Sequence, residues 1–120
     1  MSLDATGAAT APTLDPSVEK MTTAFARMRR TVERKPQKLV GTARTSLRVT
    51  DGMTCEVTEG DWNLKVDLPE RWGGNETGPN PGIYGRTALA SCLAFTYRRW
   101  ASEHGVPIKS LQIDIEADYD

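Results

Sequence analysis

The run PERWGGNETGPNPG at 69–82 places four glycines and three prolines within fourteen residues. Proline fixes φ and removes a backbone donor, and glycine carries the largest entropic cost of ordering, so neither a helix nor a strand passes through such a run. It divides the chain into a part that must end before it and a part that must start anew after it. The part after it is predicted to be a long helix from Pro81 or Gly82 to His104. Gly105 supplies a C-terminal cap and Pro107 forbids continuation.

Before the run, the pattern has period two. Trp62, Leu64, Val66 and Leu68 alternate with Asn63, Lys65 and Asp67, which is the signature of a half-buried strand entered through Glu59-Gly60-Asp61. The segment 38–50 is rich in Val, Leu and Thr, and Asp51-Gly52 is the kind of pair that turns a hairpin, so two more strands are expected around it. Further upstream, Val18, Met21, Phe25, Met28 and Val32 recur at helical spacing behind Asp15-Pro16, predicting an amphipathic helix over 15–35 with a basic end. Residues 1–14 are rich in Ala, Thr and Gly without periodicity and read as a mobile tail.

After Pro107, Leu111, Ile113 and Ile115 alternate with Gln112, Asp114 and Glu116, which predicts one further strand. The expected order is helix, a three-stranded antiparallel meander, a long central helix and a strand, an α+β domain over 36–120 preceded by the helix. Ending on a strand with one long helix to cover the sheet suggests the front part of something larger, or half of an intertwined dimer.

Composition narrows the function classes. A 120-residue chain that is 38% hydrophobic supports one small core, and a formal net charge of -1 exerts no overall pull on nucleic acid. No apolar stretch is long enough to span a bilayer, and the N-terminus lacks the basic and apolar regions of a secretory signal, so no membrane partner and a cytoplasmic location are expected. Two cysteines and one histidine make neither a disulfide framework nor a zinc site, and no metal is expected. The sequon at Asn75-Glu76-Thr77 then reads as a chance match.

Cys92 is the residue with chemistry in reserve. It lies in the middle of the central helix among small and apolar residues, with Leu89, Leu93, Phe95 and Trp100 around it, and this helix has little polar surface before Arg98 and Arg99. A helix apolar on most sides is expected to be enclosed. Cys92 is then either a small buried hydrophobe or a nucleophile whose thiolate needs an activator. The helix dipole fades within its first turn, and His104 lies three turns further on at the helix end, so the activator has to be an arginine from elsewhere. Arg44, Arg48 and Arg71 are candidates by position.

Other features read as structural. Asp114, Glu116, Asp118 and Asp120 form the wet face of the last strand. Arg27, Arg29, Arg30, Arg34, Lys35 and Lys38 form a solvated basic end that would touch phosphate only as a distant alternative. Cys55 belongs to strand packing.

The segments VDLPERWGGNETGPNPG, NPGIYGRTALASCLAFTYRR and HGVPIKSLQIDIEADYD resemble the OsmC/Ohr family of osmotically inducible proteins and organic hydroperoxide reductases. In that family a strand ends in a Pro and Gly-Gly loop, Asn-Pro-Glu opens a central helix, and a cysteine follows in an Ala-small-Cys context. Here Asn80-Pro81 precedes Ala90-Ser91-Cys92-Leu93 at the family's interval, with Gly82 in place of the glutamate. The likeness covers residues from about 40 to 120.

The resemblance implies that Cys92 is the peroxidatic cysteine, attacking an organic or fatty-acid hydroperoxide to give an alcohol and a sulfenic acid. It further implies no bound cofactor, an external dithiol reductant such as a lipoylated protein, and an intertwined homodimer. The resemblance does not pick out its arginine here, so Arg44 and Arg48 stand as the catalytic candidates by position alone, while Leu89, Leu93, Phe95 and Trp100 would form the substrate pocket. The competing expectation is a non-catalytic OsmC-fold dimer, a binding or structural protein in which Cys92 is a core residue.

Overall fold

The computed structural model describes residues 16–120, and the expected tail at 1–14 lies outside the described residues. Helix α1 spans Pro16–Arg34, strands β1, β2 and β3 span Ser46–Asp51, Thr54–Glu59 and Trp62–Val66, and helix α2 spans Pro81–Glu103. Short 3-10 turns lie at Pro36–Leu39 and Glu70–Trp72. Residues 16–40 with Leu93–Ile113 form one compact unit, and Gly41–Cys92 with Asp114–Asp120 form a second.

In the second unit the sheet is an antiparallel meander in the order β1-β2-β3. Both connections are tight: Asp51 pairs with Thr54 around Gly52, and Glu59 pairs with Trp62 around Gly60. Gly52 and Gly60 take φ of 59° and 55°, at the first loop position where a side chain would be strained. The pairing puts Leu47 opposite Val57 and Val57 opposite Leu64, with Val49, Cys55 and Val66 in the next row. One face is therefore apolar, and the other carries Arg48, Glu56 and Lys65.

That apolar face is largely open. Val57 is its buried residue, whereas Leu47 is 57% and Trp62 75% exposed. The first strand is also shorter than expected, beginning at Ser46 rather than near Lys38. Ser46 pairs with Thr58, next to the end of β2, so residues upstream of it have no ladder to join.

In the first unit, Thr22 and Ser102 join hydroxyl to hydroxyl at 2.8 Å, and Arg29 and Arg99 share the Glu103 carboxylate. The α2 terminus closes through Gly105 in the left-handed region at φ 64°, with the Val106 N–H donating to the Ala101 carbonyl at 2.9 Å. Arg98 Nη1 donates to the Ile108 carbonyl at 3.2 Å, tying the following segment back to the helix.

Two expectations are corrected. The strand expected at 111–116 does not form: these residues carry no strand pairing, although Ile113 and Ile115 remain half-buried between exposed neighbours. Period-two patterning selects an extended backbone, but a strand also needs an edge to bond to, and the sheet stops at three strands among the described residues. Nor is α2 enclosed, since Ala101 is the buried residue of its 23. A three-stranded sheet and one further helix offer too little surface to wrap a helix that is apolar on most sides.

Candidate active site

Asp67 organises the long loop. The chain leaves β3 at Val66, and the Asp67 carboxylate, 1% exposed, turns inward. It accepts hydrogen bonds from Thr54 Oγ1 at 2.8 Å, from Thr77 Oγ1 at 2.5 Å, and from the backbone N–H groups of Leu68, Asn75 and Thr77 at 2.8, 3.2 and 3.2 Å. The Thr77 hydroxyl, with the other donors behind it, holds this carboxyl far below the usual carboxylate range despite its burial. Its expected place on the wet face of β3 is thus corrected: the strand has ended, and the alternation no longer governs where the side chain points.

Around this carboxylate the loop is closely fitted. Asn75 donates from Nδ2 to the Asp51 carbonyl and to Thr54 Oγ1, which joins the loop to the β1–β2 hairpin. Glu76 sits at φ 55°, with its N–H donating to the Leu68 carbonyl. At Gly74, a Cβ would lie 1.9 Å from the Leu68 carbonyl oxygen, so this backbone approach admits only glycine.

The loop delivers the chain to the start of α2. Asn80 caps the helix, its Oδ1 accepting from the Ile83 N–H at 3.0 Å, and Pro81 occupies the first helical position. One turn on, the Tyr84 hydroxyl donates to the Lys65 carbonyl at 2.5 Å and fastens this end of the helix to β3. A Cβ at Gly82 would stand 3.0 Å from an Arg86 guanidinium nitrogen and 3.2 Å from Asn80 Oδ1, so Arg86 lies over the space a side chain at 82 would take.

From this fixed start α2 carries Cys92 about three turns along, where the residue is exposed and not disulfide-bonded. Its expected burial is corrected for the reason given for the whole helix. Leu89 lies one turn before it and is exposed, and in the other unit Leu93, Phe95 and Trp100 are exposed along α2. Trp100 stacks on His104 with ring centroids 4.6 Å apart, and His104 Nδ1 lies 2.9 Å from the Trp100 carbonyl oxygen at the helix end. Arg48, 79% exposed at its side chain, pairs with Glu56 across the β1–β2 ladder at 3.5 Å. Arg44 is exposed ahead of β1, and Arg71 is exposed in the Glu70–Trp72 turn. Cys55 donates to the Met53 carbonyl at 3.5 Å on the sheet.

Asp67, Thr54, Asn75 and Thr77 were not legible as a site. A signal was present in the short polar residues, all good backbone-bonding types, clustered around a glycine-rich turn. Among the described residues no group of three or more His, Cys, Asp or Glu is placed to hold a metal ion. No helix among them is long and apolar enough to cross a membrane.

The fold and the thiol-bearing central helix define an α+β protein with an accessible cysteine on α2. Residues 73–120 match the family described as OsmC-like protein, so the resemblance carried by the loop, α2 and the following segment is borne out over that stretch. An uncharacterized protein of Haloferax volcanii is 34% identical over 77 residues, 63% of this chain and 54% of the relative, so the alignment spans about half of that relative's length. No solved structure matches the chain.

Proposed function

We propose that this chain is an OsmC-like thiol peroxidase and that Cys92 reduces organic hydroperoxides. The Cys92 thiolate attacks the distal oxygen of the hydroperoxide and the O–O bond breaks. The alkoxide leaves and takes a proton to become the alcohol, and the sulfur is left as a sulfenic acid. An external dithiol returns it to the thiol, releasing water and becoming a disulfide. The alkyl part of the substrate rests on apolar side chains of α2, and Arg44 or Arg48 supplies the cation that favours the thiolate.

The observation that supports this reading is the exposure of Cys92, undisulfided, on α2 within the OsmC-like segment. A nucleophile has to be reached by substrate, and a cysteine serving only as core does not need to be. The open apolar face of the sheet supports the further reading that the working form is a homodimer, in which a second copy covers that face. A non-catalytic OsmC-fold dimer is the second reading, favoured by the engagement of Arg48 with Glu56.

The two separate on treatment of reduced protein with stoichiometric cumene hydroperoxide followed by intact-mass measurement. Peroxidase chemistry adds one oxygen or forms a disulfide at Cys92 and is abolished by Cys92→Ser. An unmodified thiol supports the non-catalytic dimer.

A further inference from the structure

Helix α1 lies outside the OsmC-like segment, yet it is fastened to α2, and its fastenings are unusual in kind. None of its 19 residues is buried. Val18, Met21, Phe25 and Val32 are half-buried along one face, and Met28 is exposed. What joins it to the last turns of α2 is polar. Thr22 Oγ1 meets Ser102 Oγ at 2.8 Å. Arg29 Nη2 donates to Glu103 Oε1, and Arg99 Nε donates to the same oxygen at 3.2 Å. The Arg99 guanidinium also lies over the Phe25 ring, 5.9 Å from its centroid. Glu103 thus sits between two guanidinium groups, and without it Arg29 and Arg99 would face each other as like charges.

We propose that α1 is a detachable strap tied to the last turn of α2 at Arg99, Ser102 and Glu103, fastened chiefly by the one carboxylate that Arg29 and Arg99 share, and that screening or neutralising this carboxylate releases the helix as a unit. Exposed ion pairs contribute little individually and are weakened by salt, so attachment that depends on them is reversible. An isolated helix of this length is marginal in water, so release of α1 carries loss of its helical hydrogen bonds. Release exposes the half-buried Val18, Met21 and Phe25 side chains of α1.

Hydrogen exchange measured on the full chain, wild type against Glu103→Gln, tests this. At low ionic strength the variant's α1 amides exchange roughly twofold to fivefold faster, as expected for losing the one exposed ion pair that joins α1 to α2, while the sheet amides are unchanged. Near about 1 M NaCl the wild type reaches the variant's rates. In a Cys55→Ser, Cys92→Ser background, Thr22→Cys with Ser102→Cys cross-links on oxidation and makes α1 exchange insensitive to salt. Equal α1 exchange in the two proteins, salt-independent α1 protection, parallel acceleration in the sheet, or failure of the cross-link to form would each overturn the proposal.

Discussion

Thr54 and Asp67, thirteen residues apart and both buried, are joined by a 2.8 Å hydrogen bond from the threonine hydroxyl to the carboxylate. Thr54 opens β2 and Asp67 follows β3, so this bond ties the outgoing end of the meander back to its first hairpin. The carboxylate then spends its remaining lone pairs on the loop that aims α2. The direction in which the helix carrying Cys92 leaves the sheet is set here, by a charged group whose donors come from four different residues.

Replacing Asp67 by Asn removes the charge and turns one acceptor into a donor facing donors. The protein should lose stability, read as a lower midpoint of chemical denaturation, with Asp67→Ala lower still. The pH dependence has a fixed sign. Because the folded-state pKa lies below the ordinary value, the contribution is fully present above about pH 4 and declines as the pH falls from there toward the folded-state pKa. In Asp67→Asn that part of the acid-unfolding profile flattens. An unchanged profile would show that the carboxylate does not hold the loop.

Gly74→Ala should destabilise by at least about 2 kcal/mol, because its Cβ meets backbone rather than a movable side chain, the nearest atom being the Leu68 carbonyl oxygen at 1.9 Å. Gly41→Ala is the control, with nothing within 4 Å and an expected effect under about 0.5 kcal/mol. Equal midpoints for the two variants would contradict the close approach.

How much of this was legible beforehand depended on whether the determinant was local. The period of Val18, Met21, Phe25 and Val32, the turn glycines Gly52 and Gly60, and the stop at Gly105 and Pro107 act within a few residues of themselves, and the corresponding helices and hairpins are present. The segment around Ile113 and Ile115 has the right pattern for a strand, but a strand is completed by another edge, which the pattern does not contain. Asp67 was misread because alternation was extended one residue past the end of β3. The enclosure expected around Cys92 is not found, because apolar neighbours along a helix show that the helix is suited to cover, not that this chain supplies it.

The missing cover supplies the next prediction. In sedimentation equilibrium at micromolar concentration the protein should be a dimer, and Leu47→Lys, placed on the open sheet face, should raise the dissociation constant by about tenfold or more. A monomeric wild type, or a dimer indifferent to a charge at Leu47, would show that the face is not an interface.

The most direct test of the central claim is to count the alcohol. Reduced protein mixed with cumene hydroperoxide, without added reductant, should release one 2-phenylpropan-2-ol for each Cys92 thiol consumed, and Cys92→Ser should release none. Alcohol formation that persists undiminished in Cys92→Ser, or its absence from the wild type, would contradict a peroxidase centred on this sulfur.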